Sequence, residues 1–285
     1  MSSTDKPVLI RLWQALKLRI LTALALLPIV IAALYFGGIA FAAFILVAGF
    51  LLAYEWVGIV DAAKQKPATL WLFLSLVPVL YLANQGALDQ AVLVLLGLFI
   101  VHFVISLLAR AQLLLWVGGF AYLAPALSSI VLIRNHVDGG LVLVFYLFLM
   151  VWLTDIFAMF VGKTIGGPRL APVISPNKTW SGLLGGMLGA MGGALIFAQI
   201  VDVSASLSLL LISAFFAGVA QVGDLVESWV KHRFQIKDSG SLLPGHGGLL
   251  DRVDGVISVF LIAYIIIYFR ASAEGAFSAK AIWVW

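Results

Sequence analysis

Long apolar runs, broken at intervals by glycine, proline or charge, dominate the chain. Taking each uninterrupted run of bilayer length as a helix predicts spans near 20–36, 39–60, 69–83, 91–108, 112–133, 141–162, 181–201, 207–230 and 253–269. The pattern has no period-two alternation and no convincing internal repeat, which weakens an inverted-repeat transporter as a reading. The expected fold is an all-α polytopic transmembrane helical bundle of about nine spans, with a cytoplasmic N-terminus. The apolar run that follows Arg19 continues without a small-residue cleavage site, so the first span is expected to be retained.

Polar residues orient this layout. With the N-terminus inside, fourteen of the 17 Lys and Arg fall in inside segments, and only Arg134, Arg270 and Lys280 fall outside. The two longest inside segments are then 163–180 and 231–252, both on one face. Trp13, Trp56, Trp71, Trp116, Trp229 and Trp283 lie near proposed span ends, where amphipathic rings suit the membrane interface.

Composition excludes a soluble domain: 63% of the 285 residues are hydrophobic and 11% charged, with a mean hydropathy of +1.13. The formal charge of +4 comes from sparse bases in an apolar chain, a mark of membrane topology and not of nucleic-acid binding. The absence of cysteine excludes disulfides and thiolate metal sites, leaving His, Asp and Glu as possible ligands, and any bound metal is expected to be hard and oxygen-ligated. Ionisable residues concentrate late. Residues 1–150 are expected to be supporting, cavity-forming helices, and 151–285 to carry the chemistry with loops 163–180 and 231–252.

Within that second part, Asp224 and Glu227 at the end of one predicted span, and Asp251 and Asp254 at the start of the next, share the i,i+3 spacing of one helix face. Unpaired acids at that depth are costly, about 3 kcal/mol each on insertion scales, so two pairs call for a metal or for basic partners. The alternative is a lattice in which Lys231, Arg233 and Arg252 neutralise them. Asp155 is a further acid inside an apolar span. Beyond it, Ser175, Asn177, Lys178 and Thr179 form a stretch able to hold phosphate oxygens; the alternative is an ordinary helix entry with Ser175 or Asn177 as N-cap and Pro176 as the first helical residue. The segment 231–252 adds Lys231, Arg233, Lys237, His246, Gly247, Gly248 and Arg252. Cations there can compensate a polyphosphate, and the glycines let backbone approach it closely.

The run SWVKHRFQIKDSGSLLPGHGGLLDRVD, Ser228–Asp254, resembles the signature of the phosphatidate cytidylyltransferase (CDP-diacylglycerol synthase) family. The stretch from Asp155 to Gly182, with ISPNKTW, is similar to a second region of that family. The resemblance departs at His232, where the family usually has Arg, and at Ser181, where it often has an acid. It implies an enzyme that transfers the cytidylyl group of CTP to phosphatidate, releasing pyrophosphate at the cytoplasmic face of a bacterial inner membrane. On this reading the partners are CTP, phosphatidate and the lipid bilayer, without nucleic acid, and self-association into a homo-oligomer is compatible with it. Mg²⁺, with room for a second cation, is the expected cofactor, held directly or through water by Asp224, Glu227, Asp251 and Asp254. Asp224, Asp251, Asp254, Lys237 and His246 are the candidate catalytic residues. Ser175, Asn177, Lys178, Thr179, Lys231, Arg233, Arg252, Gly247 and Gly248 are the candidates for holding phosphates. Three rivals remain: a cation-coupled transporter, marked by acids such as Asp155; a CDP-alcohol phosphatidyltransferase, whose DGxxAR run is absent after Asp254 and Gly255; and a non-catalytic lipid-binding scaffold.

Overall fold

In the computed structural model, residues 8–61, 65–108, 117–242, 247–274 and 277–283 are described. Nine long helices occur among them: α1 (Val8–Phe36), α2 (Gly38–Val60), α3 (Gln65–Asn84), α4 (Leu88–Leu108), α5 (Gly119–His136), α6 (Gly140–Ile165), α7 (Trp180–Val201), α8 (Leu207–Arg233) and α9 (Leu250–Glu274). A short α10 (Lys280–Trp283) follows. A two-stranded antiparallel hairpin, β1 (Arg169–Ala171) and β2 (Ser175–Thr179), joins α6 to α7. Seven of the described helices are long and apolar enough to cross a membrane. The protein is an all-α polytopic membrane bundle.

Each expected span has a helix, but several run further into the connections than the apolar run does. Lys231 and Arg233 lie in the last turn of α8, and Asp251 and Arg252 in the first turn of α9. Basic side chains suit a C-terminal turn and an acid suits an N-terminal one, so the helix dipole extends both elements past their apolar segment. Ser175–Thr179 departs from the expected helix entry. It is a strand, with Pro176 inside it, and Thr179 is the N-cap of α7, accepting the Gly182 N–H at 3.0 Å. A proline is tolerated there because the two-stranded sheet is all edge.

α5 occupies the middle of the bundle, packed against α2, α3, α6 and α9. Its C-terminal turn clamps three neighbouring helix ends. Arg134 donates to the Leu34 and Tyr35 carbonyls at 2.6 and 3.0 Å, Asn135 exchanges hydrogen bonds with the Gly38 backbone, and His136 bonds the Asn84 carbonyl at 2.9 Å. These contacts define one end of the bundle, and the α6–α7 and α8–α9 connections lie at the other. Trp56 is not an interfacial anchor: it is 2% exposed and stacks on Tyr122 with ring centroids 5.6 Å apart. Trp229 is half-exposed, as an interfacial ring would be. Trp116 and the side chains of Trp13 and Trp283 lie outside what is described.

The closest helix pairing is α6 with α7, and glycines make it possible. A Cβ on Gly185 would stand 2.5 Å from Val161, and one on Gly189 would stand 2.5 Å from Phe157. Bare backbone on this face of α7 brings the hairpin and Asp155 of α6 to the same end. Gly189→Val is expected to lower stability by about 1–3 kcal/mol through overpacking. Gly192→Ala, whose Cβ enters open space, is expected to be near neutral, and thermal unfolding in detergent measures both.

Candidate active site

At the end of the bundle that carries the hairpin, side chains from α6, β2, α8 and α9 line a cavity of about 400 Å³. α6 supplies Asp155 and Lys163. β2 supplies Ser175, Asn177, Lys178 and Thr179, α8 supplies Gln221 and Asp224, and α9 supplies Asp251, Arg252 and Asp254. Four acids and three bases therefore share one small space, with the N-terminus of α7 beside them. A cavity of about 520 Å³ at the opposite end has Asp89 and His136 beside Tyr264 and Tyr268, but none of the paired carboxylates.

The acids are not equivalent. Lys178 Nζ lies 2.6 Å from Asp224 Oδ2 and donates to the Gln221 side-chain oxygen at 3.1 Å, so the strand is pinned to α8 through one ammonium. Ser228, one turn after Asp224, donates to its other oxygen at 3.1 Å. Asp254 accepts the Gly255 N–H at 2.7 Å, and its charge acts on those of Asp224 and Asp155. Asp251 lines the cavity and is also tied to the α8–α9 connection. It meets Lys231 Nζ at 2.7 Å and accepts the Ser239 and Gly248 backbone N–H groups at 3.1 and 3.3 Å. Glu227 is 1% exposed, lies outside the cavity lining, and stands 3.4 Å from the same Lys231.

Of the four paired carboxylates, Asp224, Asp251 and Asp254 line the cavity and Glu227 stands outside its lining. Lys231 pairs with both Glu227 and Asp251, as in the neutralising lattice, so Asp155, Asp224 and Asp254 are the cavity acids without that ammonium. The loop between α8 and α9 adds backbone N–H groups to the same Asp251. Among the described residues no three His, Asp or Glu side chains form a metal-binding group by themselves. Carboxylates in one space, without thiolate or imidazole, fit a hard divalent ion that keeps much of its water.

Of the expected phosphate-holding residues, Ser175, Asn177, Lys178, Thr179 and Arg252 line the cavity. Lys231 is committed to acids. Arg233 and Lys237 are exposed and, with Gly247 and Gly248, lie outside the cavity lining. Gly248 gives its N–H to Asp251, and a Cβ there would collide with the Ser239 hydroxyl and the Gly240 amide, so close packing on the loop accounts for that glycine. His246 lies outside the described residues. His232 is exposed, and Ser181 hydrogen-bonds the Gly166 carbonyl where an acid was expected.

Sequence reasoning missed Gln221, Lys163, Glu55 and Tyr122. Glu55 of α2 is 1% exposed and accepts the Leu249 and Leu250 N–H groups at 2.9 and 2.7 Å. Its signal was legible as an acid inside the apolar run 39–60, the mark of a functional or structural polar contact. The Tyr122 hydroxyl of α5 is buried with no hydrogen-bond partner among the described residues, within electrostatic reach of Asp254, Glu227 and Asp224. Nothing in the sequence around Tyr122 marks it.

The fold and the cavity define a polytopic membrane protein with a cavity of mixed acids and bases at one end of its helices. Residues 17–270 match the cytidylyltransferase family, and the chain belongs to that family. It is 36% identical over 259 residues to a phosphatidate cytidylyltransferase of Brucella abortus biovar 1 (strain 9-941), covering 88% of this chain and 92% of that protein. A Bacillus subtilis (strain 168) protein of the same name is 42% identical over 151 residues, 51% of this chain and 55% of that one. A Rickettsia bellii (strain RML369-C) counterpart is 42% identical over 149 residues, 50% of this chain and 64% of its own length.

The two lysines are expected to separate stability from activity. Lys231→Met strands two carboxylates, one of them fully buried, and should cost about 3–5 kcal/mol in detergent unfolding. Lys178→Met leaves a half-exposed Asp224 and should cost under about 1 kcal/mol while sharply reducing turnover.

Proposed function

We propose that this protein transfers the cytidylyl group of CTP to phosphatidate, forming CDP-diacylglycerol and pyrophosphate. The observation that carries the reading is a polar cavity of acids and bases that opens beside apolar grooves. A groove of about 680 Å³ between α7, α8 and α9 shares Leu183 and Gln221 with the polar cavity. Another of about 750 Å³ runs between α6 and α7. A substrate with a phosphate head and acyl tails suits this pairing, as does the name borne by the relatives.

In the reaction a phosphatidate oxygen attacks the α-phosphorus of CTP. The new P–O bond joins lipid to cytidylate, and the bond to the β-phosphate breaks, releasing pyrophosphate. Two anions must meet and a third must leave, so electrostatics is the main barrier. Lys178 and Arg252 stand in the cavity to receive phosphate oxygens, and Ser175, Asn177 and Thr179 add hydrogen-bonding groups from one strand. Lys163 at the end of α6 adds a third cation. The attacking phosphate is largely ionised near neutral pH, so no strong base is needed. Mg²⁺ would be held by Asp224 and Asp254, with Asp155 and water nearby. When bound it neutralises phosphate charge and orients the groups for in-line displacement.

Nine spans with a cytoplasmic N-terminus would place this end of the bundle toward cytosolic CTP in a bacterial inner membrane. Charge supports that orientation, since fourteen of the 17 Lys and Arg fall on the same side. A single cysteine at Ser241, in a chain with none of its own, is expected to react with impermeant maleimide from the cytoplasmic side only.

Purified protein with CTP, phosphatidate and Mg²⁺ is expected to release pyrophosphate, measured by a coupled phosphate assay, and to stop on addition of EDTA. Asp224→Asn and Asp254→Asn should each lower turnover by about 100-fold or more with the protein still folded. Equal rates with ATP or GTP would remove CTP as the substrate, and unchanged rates in both variants would remove these acids from the site.

A further inference from the structure

One buried acid beside the cavity has no part in the transfer chemistry. Glu55 lies on α2, in the half of the chain that sequence reasoning assigned to support, yet its described partners all come from the connection into α9. Oε1 accepts the Leu249 N–H at 2.9 Å, and Oε2 accepts the Leu250 N–H at 2.7 Å and the Ser239 hydroxyl at 3.4 Å. Asp251 meanwhile accepts the Gly248 N–H and the Ser239 N–H.

Three consecutive amides, 248 to 250, are thus divided between two carboxylates. They sit where the first turn of a helix leaves its N–H groups without intrahelical acceptors. A side-chain oxygen from the residue before the helix normally fills that need. Here Leu249 occupies that place and has no oxygen to offer, so the acceptor comes from 195 residues earlier in the chain. The positive end of the α9 dipole adds to the attraction. The loop is shaped to allow the contact: a Cβ on Gly240 would lie 2.8 Å from Glu55 Oε1.

The first turn of α9 carries Arg252 and Asp254 into the cavity. We propose that Glu55 is a positioning residue, a carboxylate donated by α2 that caps α9 in trans and sets Arg252 and Asp254 opposite Asp224 and Lys178. The inference rests on reading that cavity as the site of cytidylyl transfer. Glu55 touches no substrate; its effect runs through the placement of α9, and small misplacements of catalytic groups are costly to turnover.

The test uses the full chain, whose lack of cysteine permits single spin labels at Leu242→Cys, in the tethered loop, and Ser204→Cys, at the opposite end between α7 and α8. Glu55→Gln keeps the shape but turns an amide NH₂ toward a backbone N–H. It is expected to lower kcat by about tenfold with KM for CTP within about threefold of the parent, because alignment and not substrate contact is lost. The label at 242 should become more mobile and the label at 204 should not. Should Glu55→Gln fail to accumulate, Ser239→Ala removes the hydroxyl donor to the same carboxylate, and a smaller loosening at 242 with a fall of about threefold in kcat is expected. The inference is overturned if kcat stays within about twofold of the parent, if 242 stays as immobile as in the parent, or if 204 loosens equally. A parent protein that forms no CDP-diacylglycerol would sink the transfer reading alone, since the two labels still decide whether Glu55 holds α9.

Discussion

An acid buried in a membrane bundle must be met by a donor, and at the junction of α8 with α9 that requirement shapes everything around it. Lys231 stands between Glu227 and Asp251, and Lys178 reaches from the hairpin to Asp224. Glu55 takes the amides that α9 exposes at its start. Apart from the one-turn pair of Glu227 with Lys231 inside α8, these contacts join separate elements: β2 to α8, α8 to α9, and α2 to α9. Removing a donor exposes the charge it neutralised, so these pairs hold the geometry more by the penalty of losing them than by net attraction.

With Lys231 paired to Glu227 and Asp251, the cavity acids without that ammonium are Asp155, Asp224 and Asp254, opposed by Lys178, Arg252 and Lys163. Such a mixture suits a reaction in which phosphate groups must be drawn together and a divalent cation accommodated. Close packing of α6 on α7 through glycine brings Asp155 and the hairpin to this point, and apolar grooves run between the neighbouring helices. A soluble nucleotide and an insoluble lipid can both reach one site only at such a boundary between polar cavity and apolar helix surface.

The N-terminal helices contribute more than enclosure. α5 clamps the far end of the bundle through Arg134, Asn135 and His136, and near the site it buries the Tyr122 hydroxyl close to the acids. Trp56 packs on Tyr122 one residue after Glu55, so the apolar contact and the carboxylate contact come from adjacent positions on α2.

The amino-acid sequence alone determined the helical membrane architecture, the place of each long helix, the end of the chain that carries charge and the family, because bilayer length and a long ordered motif are local, one-dimensional signals. It also marked Lys178, Asp224, Arg252 and Asp254, which do line one cavity. Tertiary structure alone decided that Glu227 stands outside that cavity's lining and that Lys231 is committed to Glu227 and Asp251. The i,i+3 spacing places Asp251 beside Asp254 and both line the cavity, but backbone amides at Ser239 and Gly248, together with Lys231, bind Asp251. The same holds for the strand at Ser175–Thr179, for the burial of Trp56 and for the contact between Glu55 and α9. Each depends on a partner in another element, and spacing within one element carries no record of what another brings to meet it.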